Sequence, residues 1–127
     1  MKSSIALALL SFMGLAGAGT AVQAADAEMG AKVFKKCMAC HTVENTINKV
    51  GPSLKGIVGR KAATVEGFKY SDAMLAKAAE GVVWDEATLA AYLPDPRKFV
   101  PGTKMAFPGL KKPEEVVDLI AFLKSKT

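Results

Sequence analysis

Both cysteines and the chain's one histidine stand together in Cys37-Met38-Ala39-Cys40-His41, and this run constrains the fold more than any other feature. Two thiols three positions apart can reach the two vinyl groups of a single porphyrin. The next residue then presents an imidazole to the iron from the same side, so C-x-x-C-H marks covalent haem attachment. Other readings of the run fit worse. A thioredoxin-like pair opens a helix after a strand in a βαβ pattern, whereas this one follows a helical stretch. A structural zinc site normally takes four N/S ligands, more than two cysteines and one histidine supply. A plain disulfide, the ordinary use of two cysteines in an exported chain, leaves His41 without a role.

Export is expected from the N-terminus. Lys2 gives a positive start, Ile5 to about Leu15 is apolar, and small residues lead into Val22-Gln23-Ala24. That pattern reads as a secretory signal peptide over residues 1–24, cleaved after Ala24. The competing reading is an uncleaved membrane anchor, because the chain carries no charge from Ile5 to Val22. A span needs roughly 20 predominantly apolar residues, and the glycines, hydroxyls and small exit residues disfavour it. Residues 25–127 make one domain, too short for two. A domain of this size buries a limited core, to which a central cofactor adds apolar surface.

Haem iron with one histidine ligand can bind gases, activate peroxide or, with a further protein ligand, carry electrons. With a single histidine in the chain, methionine is the natural candidate for that ligand. Met38 lies inside the attachment run, and Met29 and Met74 sit in helical patterns where a core methionine is the commoner meaning. Met105 lies in Pro101-Gly102-Thr103-Lys104-Met105-Ala106-Phe107-Pro108-Gly109, bounded by two Pro-Gly dipeptides and without helical or strand periodicity. It is also far enough along the chain from His41 to reach the opposite haem face.

Several ordered blocks complete the pattern: Gly30-x-x-x-Phe34, Cys37 to Glu44, Gly51-Pro52-x-Leu54, Gly59-Arg60-Lys61, Trp84, Tyr92-Leu93 and Pro101 to Met105. Together they closely resemble class I cytochrome c, in particular the mitochondrial cytochrome c and bacterial cytochrome c2 branch, from about Glu28 to Lys126. The resemblance implies an all-α cytochrome c fold, with crossed terminal helices and short helices wrapped around one haem c. It implies that Cys37 and Cys40 hold the haem by thioethers and that His41 and Met105 are its axial ligands. Pro52 matches the proline whose carbonyl bonds the proximal imidazole. Arg60, Tyr70 and Trp84 match positions that bond or neutralise a buried propionate. Tyr92 and Thr103 match groups near the distal side, and Phe107 the aromatic at the exposed haem rim. Lys32, Lys36, Lys49, Arg97, Lys104, Lys111 and Lys112 match positions ringing the haem edge, where partners dock.

The departures from the family pattern are specific. Met74 stands where the family often has an asparagine in a distal water network. The loop from Glu44 to Gly51 is one residue shorter than in mitochondrial examples. A histidine common before Gly51-Pro52 is absent, and Asn48 is the nearest candidate to bridge that loop.

Periodicity agrees with an all-α chain. Ala27 to about Met38 is amphipathic, with Met29, Val33, Phe34 and Cys37 at helical spacing. Pro113 opens a last helix whose acidic start and basic end suit the helix dipole, and Gly30 allows the two helices to approach. Ser71 and Asp85 are expected N-caps, with Gly81 as the stop of the first of these helices and Asp95-Pro96 starting one more turn. The formal charge of +5 favours acidic docking faces on redox partners: a quinol–cytochrome c oxidoreductase, terminal oxidase, reaction centre or reductase. A modest excess on an exported chain argues against nucleic acid. The expected function is therefore that of a soluble, periplasmic, monomeric single-electron carrier in a chain such as the respiratory one, and not an enzyme. With the only histidine on the proximal side, the sequence supplies no obvious distal acid–base group.

Overall fold

The computed structural model describes Gly14 and residues 24–127; the expected signal peptide otherwise lies outside the described residues. Among the described residues five helices follow in order: α1 Ala27–Phe34, α2 Asp72–Ala79, α3 Glu86–Tyr92, α4 Pro96–Phe99 and α5 Pro113–Lys124. Among the described residues, pairing of extended chain is confined to one antiparallel bridge between Lys61 and Val83.

Local chemistry sets each boundary. The Asp26 carboxylate caps α1 by accepting from the Glu28 and Met29 amides, satisfying donors that the first turn leaves without partners. Ser71 caps α2 through the Met74 amide, Asp85 caps α3 through Thr88, and Asp95 caps α4 through Lys98. Gly81, at φ +82°, supplies the left-handed conformation that ends α2 one residue past its C-cap. In α5 no side chain caps the start; Pro113 occupies the first turn instead, with Glu114 and Glu115 beside it and Lys124 in the last turn.

The expected continuation of the first helix to Met38 is not found. After Phe34 the backbone tightens to three-residue bonds, Lys36 N to Val33 O at 3.0 Å and Cys37 N to Phe34 O at 2.8 Å. This turn narrows the spiral and carries the chain into the cysteine run. Met29, expected on the buried face, is 44% exposed; the helix's buried residues are Gly30, Val33 and Phe34, with Ala31 packed partly against the core.

Helices α1 and α5 cross at Gly30. A Cβ there would overlap the Asp118 carbonyl and the Phe122 Cβ, so glycine is what permits the approach. Phe34 and Phe122 meet across the crossing with ring centroids 5.3 Å apart, and the Asp26 amide donates to Asp118 Oδ1 at 2.9 Å. Buried Leu119, Ile120 and Leu123 extend the contact into a core shared with Val43, Ile57, Trp84, Leu89 and Leu110. Each such side chain contributes about 1.5–3 kcal/mol on removal from water. Among the described residues, no helix is long and apolar enough to cross a membrane.

Candidate functional site

The turn that ends α1 continues through the cysteines. Cys40 N and His41 N both bond the Cys37 carbonyl, at 3.1 and 2.9 Å, so the two thiols and the imidazole come from one compact turn. Both cysteines are free and half-buried. Burial pushes the Cys37 thiol up to about 11 against the opposing charge of Lys36, so it is neutral at ordinary pH. Among the described residues no group of acidic, histidine and cysteine side chains is arranged to hold a metal ion.

His41 is fixed from two directions. Its Nδ1 lies 2.7 Å from the Pro52 carbonyl, which makes that nitrogen the donor and leaves Nε2 as the acceptor. A Cβ on Gly51 would come within 2.7 Å of Nδ1 and 2.8 Å of Nε2, so the ring packs directly on that glycine. Burial lowers the His41 pKa, the Pro52 bond opposes the shift, and Lys49 adds to it. The result is a neutral imidazole with one free lone pair, the form that binds iron.

On a separate loop, the Tyr92 hydroxyl donates to Met105 Sδ at 3.5 Å, and Thr103 Oγ1 accepts from the Met105 amide at 3.2 Å. Tyr92 is pushed up to about 12, mainly by burial and further by Cys37, so it remains a donor. It packs against Trp84 at 4.8 Å and Phe99 at 5.8 Å between centroids. Gly109 makes the loop's return possible: at φ +109° it lies so close to the Pro94 carbonyl that a Cβ would overlap it.

The candidate propionate residues lie around one corner. Arg60 donates to the Lys55 and Ser53 carbonyls at 3.1 and 3.0 Å, and burial lowers its pKa while Tyr70 opposes the shift. Among the described residues no carboxylate pairs with this guanidinium, which keeps its charge and further N–H donors for an anion. The Tyr70 hydroxyl accepts from the Val65 amide. Trp84 is buried, and its amide bonds the Arg60 carbonyl at 2.8 Å. Phe107, Met74, Leu54 and Val58 join Cys37 and Tyr92 in a fringe of partly covered apolar side chains against the core.

This donor set fits a haem: two free thiols beside a neutral imidazole, an anchored thioether sulfur, an apolar fringe and a cation without a carboxylate partner among the described residues. Asn48 bridges its loop through bonds to Ser53 and Glu66. The role of Gly51 against the imidazole was not read from the sequence; its only signal there was membership of the Gly51-Pro52 block.

All seven candidate docking residues are exposed, but three have local partners. Lys36 pairs with Glu115 at 3.1 Å, Lys49 donates to the Met38 carbonyl at 2.7 Å, and Lys111 donates to the Pro94 and Pro108 carbonyls. Lys32, Arg97, Lys104 and Lys112 lie on the surface without such ties among the described contacts.

Comparison with known proteins places this geometry among relatives. A family model described as cytochrome c matches residues 27–127. Cytochrome c of Guizotia abyssinica is 50% identical over 106 residues, covering 82% of this chain and 93% of that protein. Cytochrome c2 iso-2 of Magnetospirillum fulvum is 54% identical over 92 residues, 72% of this chain and 93% of the relative. Among solved structures, cytochrome cH from Methylobacterium extorquens superposes with a TM-score of 0.72 at 50% identity, covering 80% of this chain and 99% of that one.

Proposed function

The chain belongs to the cytochrome c family, a family of haem electron carriers, and from that premise we propose that it carries single electrons on a haem c ligated by His41 and Met105. The observation that carries this reading is that each candidate ligand is held by its own hydrogen bond on a separate segment, His41 by Pro52 and Met105 by Tyr92. When bound, the haem supplies an iron that changes by one electron between ferric and ferrous states.

The residues explain why such a change is easy. Cys37 and Cys40 would tether the group by thioethers, so that it could not leave in either state. Because His41 and Met105 are each already held in place, neither oxidation state would need to gain or lose a protein ligand, and little rearrangement would oppose transfer. The Met105 thioether favours ferrous iron, and His/Met ligation raises the potential. Tyr92 draws electron density from the same sulfur. Arg60, with Tyr70 and Trp84 beside it, would offset a buried propionate charge, while Thr103 braces the Met105 loop through the Met105 amide and Phe107, packed against the core, would cover the haem rim.

The protein acts as a carrier and not as an enzyme. It is exported to the periplasm after cleavage behind Ala24 and moves, as a monomer, between membrane-bound redox complexes with acidic faces. Lys32, Arg97, Lys104 and Lys112 are its freer docking charges, with Lys36, Lys49 and Lys111 beside them. The periplasmic assignment rests on the N-terminal pattern and is tested by the mass of the exported protein, expected to begin at Ala25 and to include one haem.

The ligand assignment is tested by visible spectra of the oxidised and reduced protein, with and without cyanide. A low-spin c-type spectrum, a weak sulfur-to-ferric-iron band and slow cyanide binding are expected. A high-spin ferric spectrum with fast cyanide binding would overturn it in favour of a ligand-binding or peroxidatic site.

A further inference from the structure

We propose that Asn48 is a positioning residue for His41, acting through the Pro52–Ser53 peptide unit and so helping to set the reduction potential. The inference rests on His41 being an iron ligand. The carbonyl that holds His41 Nδ1 belongs to Pro52. The other end of the same peptide unit is the Ser53 N–H, which donates to Asn48 Oδ1 at 3.0 Å. A peptide unit is planar and stiff, so fixing its N–H fixes the direction of its carbonyl. Hydrogen bonds in such a chain also polarise one another. Acceptance by Asn48 therefore makes the Pro52 carbonyl a better acceptor, and a better acceptor makes the imidazole more basic toward iron.

The far side of Asn48 is anchored too. Its Nδ2 donates to the Glu66 carbonyl at 3.1 Å, in the segment whose Val65 amide bonds the Tyr70 hydroxyl at 2.9 Å. Arg60 closes the other side by donating to the Ser53 carbonyl at 3.0 Å. The two partners fix the orientation of the amide, since a flipped side chain would set N–H against N–H and carbonyl against carbonyl. Its half-buried position limits competition from water. Pro52, Ser53 and His41 are thus held by a residue whose own hydrogen bonds go to Ser53 and Glu66.

Two substitutions in the holoprotein separate positioning from simple stability. Asn48→Ala removes both bonds. Asn48→Asp removes the bond to Glu66 but offers Ser53 a stronger, charged acceptor. Exchange of the His41 ring Nδ1 proton, followed by NMR in the reduced protein, is expected to quicken about tenfold in Asn48→Ala and to slow below wild type in Asn48→Asp. The midpoint potential is expected to rise in the first and fall in the second. Asp85→Ala, which removes the α3 cap far along the chain, serves as a destabilised control and moves neither quantity.

Ring-proton exchange that is unchanged in both variants, or that shifts the same way in both along with the control, would overturn the proposal. If Asn48→Ala does not accumulate with haem, Asn48→Asp decides alone through the direction of its exchange. Failure of the ligation reading is distinguishable, because it shows in the wild-type spectrum before any variant is made.

Discussion

His41 is confined by a neighbour with no side chain at all. Replacing Gly51 by alanine would put a methyl group 2.7 Å from Nδ1 and 2.8 Å from Nε2, and the ring would have to move away from the Pro52 carbonyl. Gly51→Ala is expected to cost about 1–3 kcal/mol, as overpacking does, and to convert part of the ferric spectrum to high spin. A denaturation midpoint and spectrum equal to wild type would show the ring to have free space. Tyr92 gives the complementary case. Tyr92→Phe removes a donor to Met105 Sδ and leaves only a sulfur, a weak acceptor, without its partner. Stability is expected to change by less than about 1 kcal/mol, while the midpoint potential falls because the sulfur donates more freely to ferric iron. A potential that stays put or rises would remove the bond from the account. That Cys37, Cys40 and His41 share one turn was legible from their spacing, and that Met105 lies outside the helices was legible from its Pro-Gly bounds. The contact of Gly51 with the ring was not, because a tertiary approach leaves no periodic trace in sequence.

Among the elements, the caps were the most legible part of the fold. Ser71, Asp85 and Asp95 each accept from an amide in the first turn that follows, as their short polar side chains predict. The end of α1 was less legible: Val33, Phe34 and Cys37 keep helical spacing across a turn whose bonds have already shortened to three residues. Hydrophobic period does not distinguish the two geometries over so few residues. Asp85 also yields a pH prediction. Bonds from the Thr88 amide, then from its side chain, hold the Asp85 pKa below its ordinary value. A folded value lower than the unfolded one gives stability that is complete above the unfolded pKa and lost as pH falls through the folded pKa. An asparagine side chain at this position cannot titrate but can still accept, so Asp85→Asn is expected to flatten the acid limb of the stability curve. Denaturant midpoints followed from about pH 6 to about pH 2 test this; parallel curves for the two proteins would assign the acid limb to other carboxylates.

For the molecule as a whole, charge decides how partners are met, and the structure divides that charge unevenly. The formal excess is +5, yet Lys36 faces Glu115, Lys124 faces Glu86 and Lys126 faces Glu44. Such exposed pairs add little to stability, about 0–1 kcal/mol, and beyond a Debye length each is nearly neutral. Lys104 has no such tie and stands next to Met105 in sequence, so its field reaches solvent uncancelled. The association rate with an acidic redox partner is therefore expected to fall as salt shortens the Debye length from about 30 Å at 0.01 M to about 10 Å at 0.1 M. Lys104→Ala is expected to slow association several-fold at the lower salt and to converge on wild type at the higher. Removing Lys36 and Glu115 together leaves the net charge alone and is expected to leave the rate alone. Stopped-flow reduction of the protein by its partner over a salt series measures all three. Equal slowing by the single and the double variant would mean that the Lys36–Glu115 pair acts in docking through contact, not through its field.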